Sequence, residues 1–358
     1  MSASLLMGGT ASVTAAKVPA DEEVKAIAPE AAKTAEVGLV FNGERLQQKG
    51  LLIGETTMVP VTVLRDVMDL PITYDYSTFT YNVGAGASQL NLTTSEYGVV
   101  TSVNQFYMGG IHSEYSAVNL QGRLYVPFRL LNDILGFQGA YDTAAQTLVL
   151  EKRETNPIQI TTGTLTQKTE DLEMQIRYPQ ITGLADVKVQ QKMNEALKAK
   201  ADAFAKEGME RSTHRNSELV PFPYSYNANY VVTYNQDGVL SVLIDQTTYT
   251  GGEDPVQREA MTFSLKDGHR IDLNELLPQD SGSQEKLYPI LAQRIQQDGS
   301  QISLDQMESS LHYYVSGAGL QFYFGETGPD SFAKGIRTYK VPFNELLPAG
   351  ADPFAAFK

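Results

Sequence analysis

The chain has 358 residues, 42% of them hydrophobic and 20% charged, with a formal net charge of −14. That length exceeds one ordinary core and suits two domains, and the absence of cysteine excludes disulfides, thiolate metal sites and thiol nucleophiles. The acidic balance, 27 acids against 18 bases in residues 154–358 and 10 against 7 in residues 37–153, argues against nucleic acid and anionic wall polymers and favours cationic partners or plain solubility.

Ser2 to Ala16 is uncharged and mildly apolar, with small residues at Thr14-Ala15-Ala16 and Val18-Pro19-Ala20. It reads as the remnant of an export signal lacking its basic start, or as a disordered Ala-rich tail. Ala20 to Glu36, rich in Ala, Lys and Glu, reads as a linker, so residues 1–36 stand apart from the domains. No stretch reaches the roughly 18 apolar residues of a membrane span.

Val37 to Val40 is expected to be a strand turning at Asn42-Gly43, a hairpin signal, with Leu51 to Ile53 continuing the pattern. The chain then repeats itself. Met58 to Met68 returns as Tyr125 to Leu135 at an offset of 67 residues, and the register holds to Tyr81-Asn82-Val83 and Leu148-Val149-Leu150. In each copy Val-Pro opens a helix, since proline suits the first helical turn. Its inward residues are Val63, Leu64, Val67 and Met68, then Leu130, Leu131, Ile134 and Leu135. The helices are expected to stop at Leu70-Pro71 and at Gly136, each followed by a hairpin ending near Val83 or Leu150. A duplicated apolar framework without shared catalytic residue types points to a scaffold or binding module.

Glu154 to Pro157 marks a boundary. Strands are expected at Ile158 to Ile160, Leu172 to Ile176 and Tyr178 to Ile181. Asp186 to Gly208 is the clearest helix, with Val189, Met193, Leu197, Ala201 and Phe204 on one face. Tyr224 to Tyr234 and Val239 to Tyr249 read as long strands, and Ala260 to Leu265 pairs with Arg270 to Leu273 around Asp267-Gly268. Gln284 to Gln297 is a second helix, and Leu320 to Phe324 and Ile336 to Phe343 are late strands. The expected fold is therefore α+β with two domains. Residues 37–153 form a duplicated strand-helix-hairpin unit, and residues 154–358 an antiparallel sheet with two main helices.

Asn42-Gly43, Gly122-Arg123-Leu124-Tyr125-Val126-Pro127-Phe128-Arg129, Leu135-Gly136-Phe137 and Tyr141-Asp142 resemble the copper amine oxidase N-terminal-like, or stalk, domain of bacterial envelope proteins. In the first copy Thr62 replaces the arginine and Asp69-Leu70 the Gly-aromatic step. The resemblance is to the appendage and not to the oxidase. His112, His214, His269 and His312 contain no His-x-His pair, and Asn229-Tyr230-Val231 lacks the acid of the cofactor-forming string.

The second half resembles extracellular domains of lysozyme-sensing anti-sigma factors and of some peptidoglycan deacetylases. Tyr178-Pro179, Tyr249-Thr250-Gly251-Gly252, Thr262-Phe263-Ser264-Leu265 with Asp267-Gly268, Asp272 to Leu276, and Val341-Pro342-Phe343 carry that resemblance. Glu253-Asp254 stands where the family commonly has Ala-His. The paired aspartates and clustered histidines of a deacetylase metal site are missing, as are Asp-rich calcium loops and a Ser-His-acid arrangement.

No cofactor, metal or catalytic residue is therefore expected. The resemblance implies an exported, non-catalytic protein that binds or senses a wall component such as peptidoglycan, or a basic secreted protein such as lysozyme. A structural spacer without a ligand is the alternative. Tyr224, Tyr226, Tyr230 and Tyr234 lie at even spacing and are expected to project from one face, for packing or for contact. The Gly-rich loops are the candidate ligand contacts, through Tyr249, Gly251, Gly252, Glu253 and Asp254 in one and Pro329, Phe332 and Lys334 in the other.

Overall fold

The computed structural model describes residues 34–109, 113–252, 256–277, 282–299, 310–324 and 336–358. The expectations for Ser2 to Ala16, for the linker up to residue 33 and for His112 lie outside these residues. Among the described residues the protein is α+β, with strands gathered into four sheets and six α-helices. No described helix is long and apolar enough to cross a membrane.

The first sheet begins with β1 (Thr34–Phe41), which turns at Asn42-Gly43 into β2 (Glu44–Arg45). β3 (Gly50–Ile53) and β4 (Thr56–Pro60) follow as an antiparallel meander. Helix α1 (Val61–Asp66) starts directly from β4, with Pro60 as its N-cap in an extended conformation (ψ 137°). Proline thus closes the strand instead of opening the helix, one position earlier than the sequence reading placed it. β5 (Ile72–Asp75) and β6 (Thr80–Val83) form a hairpin. They continue into β7 (Leu90–Ser95), β8 (Gly98–Val103) and β9 (Phe106–Tyr107) as a second, five-stranded sheet.

The same succession recurs 67 residues on. β10 (Val118–Leu120) and β11 (Arg123–Pro127) lead through N-cap Pro127 (ψ 139°) into α2 (Phe128–Asp133), then into the hairpin of β12 (Phe137–Asp142) and β13 (Thr147–Lys152). Backbone details coincide at that offset. Left-handed φ values occur at Gly54 and Gln121 (58° and 52°), at Asp69 and Gly136 (55° and 77°), and at Phe79 and Gln146 (54° and 48°). Thr80 Oγ1 donates to Thr78 O (3.1 Å), and Thr147 Oγ1 to Ala145 O (3.0 Å). Asp75 Oδ1 accepts from Ser77 N (2.8 Å), and Asp142 Oδ1 from Ala144 N (2.9 Å). The hairpins differ in placement. β13 pairs parallel with β1 in the first sheet, whereas β6 pairs with β7 in the second. Val59, Leu64, Val126, Leu131 and Ile134 are buried as the pattern requires, and Val67 is half-buried.

The second half is built on β14 (Gln159–Lys168), β15 (Leu172–Thr182), β16 (Tyr224–Gln236), β17 (Val239–Tyr249) and β18 (Gln257–Ser264), paired in chain order. This sheet is mixed and not antiparallel, because β15 and β16 run parallel. Parallel neighbours need a long crossover, and the 26-residue helix α3 (Val187–Ser212) supplies it. Asp186 caps α3, accepting from the amides of Lys188 and Val189. Val189, Met193, Leu197, Ala201 and Phe204 are all buried against the sheet.

Arg270 makes only an isolated bridge to Phe263, and a short helix α4 (Leu273–Leu276) replaces the expected strand. Its capping box of Asp272 and Glu275 accounts for the helical start. Helix α5 (Ser283–Gln297) packs on a third layer of β19 (Leu311–Ser316), β20 (Gly319–Phe324) and β21 (Thr338–Val341), which ends in α6 (Phe343–Leu346).

The four tyrosines of β16 do not share a face. Tyr226 and Tyr230 are buried beneath α3, but a bulge at Thr233 shifts the register so that Tyr234 pairs with Ser241 while Val232 pairs with Val242. Directly opposed residues point to the same side and adjacent ones to opposite sides. Tyr234 is therefore turned over to stack on Phe354, with centroids 5.0 Å apart.

Polar contacts lock the two halves together. Asn104, at the turn between β8 and β9, donates from Nδ2 to Tyr230 O (3.0 Å), and Arg177 grips Asn104 O and Oδ1 at 2.6 and 2.8 Å. Arg153 donates to Asn132 O and Gly317 O. Val231 and Leu243 join Val103 and Phe106 in one apolar core.

Candidate functional site

An open cleft of about 590 Å³ lies where β18 meets β19 and the segment before α4. Its base is an ion pair between strands. Asp245 of β17 and Arg258 of β18 are directly opposed in the ladder, and the guanidinium binds the carboxylate through two bonds of 2.7 and 2.6 Å. Both side chains are mostly covered, at 14% and 16% exposure for Arg258 and Asp245. Burial works against the charge on Arg258, but the Asp245 bonds outweigh it and hold the pKa above its ordinary value. The guanidinium also lies 5.5 Å from the centre of the Phe106 ring, contributed by the first half of the chain.

The rim is more accessible. Glu259 is shared by Lys200 of α3 (2.9 Å) and Arg270 (3.3 Å). The exposed His312 ring stacks on Tyr323, with centroids 5.2 Å apart and planes 22° from parallel. Tyr313 donates its hydroxyl to Ile271 O, and burial pushes its phenol well above the usual range. Thr262 Oγ1 is occupied by Ser241 Oγ at 3.0 Å. The cleft thus offers carboxylates, guanidinium groups, an imidazole and aromatic faces, suited to a polar ligand of mixed charge. Among the described residues no three carboxylate or imidazole side chains gather as metal donors.

The loop chosen from the sequence follows β17 and contributes no residue to the lining of this cleft. Tyr249 ends β17 four residues beyond Asp245, so both project to the same side of the strand. It is 37% exposed. Gly251 adopts φ 100°, and a Cβ there would come within 2.4 Å of Val220. Gly252 faces open space. Arg211 ties the end of α3 to this loop by donating to Thr250 Oγ1 (3.1 Å). Glu253, Asp254, Pro329, Phe332 and Lys334 lie outside the described residues. Sequence reasoning missed Arg258, Arg270, His312 and Tyr323. Extending the β17–β18 hairpin inward from its loop would have brought Asp245 opposite Arg258, but β19 comes from too far along the chain to be placed that way.

Two family models match separate stretches of the chain. Residues 40–150 match the family model of the copper amine oxidase N-terminal domain. Residues 165–257 match that of deacetylase PdaC, stopping where β18 begins. Both resemblances read from the sequence are therefore found. Among solved structures, a member of the DUF3298 family from Bacteroides fragilis is 13% identical over 57% of this chain and 98% of its own, with a TM-score of 0.42. A DUF3298 family protein from Pseudomonas aeruginosa is 13% identical over 54% and 94%, with a TM-score of 0.36. No curated protein matches the chain.

Proposed function

We propose that this protein is an exported, non-catalytic binding or sensing protein of the bacterial cell envelope, whose first half is a stalk and whose second half receives the ligand. The observation that carries the reading is the succession of a stalk-type match over residues 40–150 and a PdaC-type match over residues 165–257 in one chain. The cleft lined by Arg258, Glu259, Arg270 and His312 supports it, because an open, mixed-charge surface on a rigid sheet suits contact more than chemistry. In this reading residues 37–153 are two copies of one strand-helix-hairpin unit, supported by the backbone conformations and hydrogen bonds that recur at an offset of 67 residues.

The ligand is a wall component such as peptidoglycan, or a basic secreted protein such as lysozyme. The contacts are Tyr249, Gly251, Gly252, Glu253 and Asp254, with Pro329, Phe332 and Lys334 and the cleft rim. The excess of acids in residues 154–358 would speed encounter with a cationic partner more than it would fix the complex.

Pull-down of the full chain on isolated peptidoglycan and on immobilised lysozyme tests this. Retention on either, reduced by Tyr249→Ala, supports a binding protein. Passage through both leaves the chain as a spacer.

A further inference from the structure

The first half carries a second depression that this reading does not use. A groove of about 470 Å³ opens where β4, β11 and the start of α1 meet the β5–β6 hairpin. Its walls are mainly apolar, from Pro60, Val61, Ile72, Tyr81, Leu124 and Tyr125, and Lys49, Arg65 and Arg123 rim it. Arg65 is engaged by Asp66 at 2.5 Å, and Gln48 donates to the same carboxylate at 3.3 Å. Lys49 and Arg123 are exposed and have no ion pair or side-chain hydrogen bond among the described residues. Three cations and no carboxylate line the groove, with Asp66 paired to Arg65 beside it and the Asp75 carboxylate turned onto Ser77, so the groove is locally basic on a chain of net charge −14.

A line of tyrosines leads outward from the groove. Tyr81 in the wall faces Tyr74 across the β5–β6 ladder, with ring centroids 4.5 Å apart. Tyr76 follows 4.8 Å beyond Tyr74, its ring at 86° to it and 82% exposed. Exposed aromatic rings next to an apolar groove mark a contact surface. Their faces suit the C–H faces of sugar rings, and guanidinium and ammonium groups bind carboxylate or phosphate by charge-assisted hydrogen bonds. The strands flooring the groove, β4 and β11, are paired on both edges, which leaves them no free edge for an added peptide strand.

We propose that this groove and its tyrosine line bind an acidic glycan, a sugar chain bearing carboxylate or phosphate groups. The anionic groups sit on Lys49 and Arg123, and the sugar faces lie on Tyr81, Tyr74 and Tyr76. The proposal deepens the envelope-binding reading by adding a ligand class at a separate site, and it rests on that reading for its setting alone.

Titration calorimetry of the full chain tests it with four probes: polygalacturonate for carboxylate, phosphomannan for phosphate, chitohexaose as a neutral glycan and poly-L-glutamate as an acidic peptide. Binding of either acidic glycan in preference to the other two probes is expected. The double variant Lys49→Gln/Arg123→Gln weakens it by roughly tenfold or more, as loss of charge-assisted bonds requires. Tyr76→Ala, an exposed change that spares the core, weakens it as well, and Lys168→Gln, at the last residue of β14 and outside the groove's lining, leaves it unchanged. Equal binding of poly-L-glutamate or chitohexaose, indifference to the double variant, or no binding of either acidic glycan overturns the proposal. Lysozyme binding is measured on the same variants and is expected to be unaffected, so failure here and failure of the C-terminal reading are told apart.

Discussion

Val59 and Val126, 67 residues apart in the chain, face each other across the antiparallel ladder of β4 and β11. The flanking pairs are Met58 with Pro127 and Pro60 with Tyr125. Because β4 and β11 run antiparallel and each leads into its helix, α1 and α2 leave the ladder in opposite directions. Each valine is fully buried.

Leu64 and Leu131, related by the same offset, are both completely buried beneath their helices. Leu64→Ala and Leu131→Ala are each expected to cost about 2–5 kcal/mol, the range for truncating a packed core leucine. Urea unfolding of the two variants checks this. A loss at only one of the two positions would contradict equivalent packing.

Asp69 and Gly136 share a left-handed conformation after their helices. Glycine adopts it without strain, while aspartate is one of the few other residues to tolerate it. Asp69→Gly is expected to be neutral or to stabilise by up to about 1 kcal/mol, whereas Gly136→Ala costs about 1 kcal/mol or more. Thermal denaturation of both variants reads the opposite signs.

His269 is held between Asp267 (2.5 Å) and Glu275 (2.9 Å), and the Asp267 hydrogen bond raises its pKa above 6.5. The same contact lowers Asp267 to about 2, so that carboxylate stays charged throughout the histidine's titration. A folded-state pKa above the unfolded one means that the protonated ring stabilises fully below the unfolded value. This contribution is lost as pH rises through the folded value. The melting temperature is expected to fall from pH 6 to pH 9 by more in the native protein than in His269→Gln. Parallel curves for the two proteins would contradict the assignment.

Asp245 and Arg258 at the cleft base are mutually dependent. Arg258→Met or Asp245→Leu alone leaves a mostly covered charge without its partner and is expected to cost about 3 kcal/mol. The double variant should cost less than the sum of the two, and a double-mutant cycle measures the difference.

Legibility followed the range of the interaction that decides each feature. The inward stripe of α3, from Val189 to Phe204, was readable because its spacing alone determines it. The meander from Leu90 to Tyr107 carries alternating buried positions, Val99, Thr101 and Val103, yet its polar composition hid it. Tyr234 was misplaced because one bulged residue, Thr233, reverses the face, and a bulge is set by the partner strand. The parallel β15–β16 pair depends on where α3 returns the chain. The bond from Asn104 to Tyr230 O spans 126 residues and has no sequence signature. Of the candidate site, Tyr249 closes β17 ahead of Gly251 and Gly252, while Arg258, His312 and Tyr323 meet only through tertiary packing.

The most direct test of the account is a biosensor titration of the full chain against lysozyme and solubilised peptidoglycan at low and physiological salt. Binding of at least one is expected. For lysozyme the association rate should fall as salt rises, and Tyr249→Ala and Glu259→Gln should each weaken the complex. No binding to either ligand at high micromolar concentration in low salt would contradict the claim that this is a binding protein.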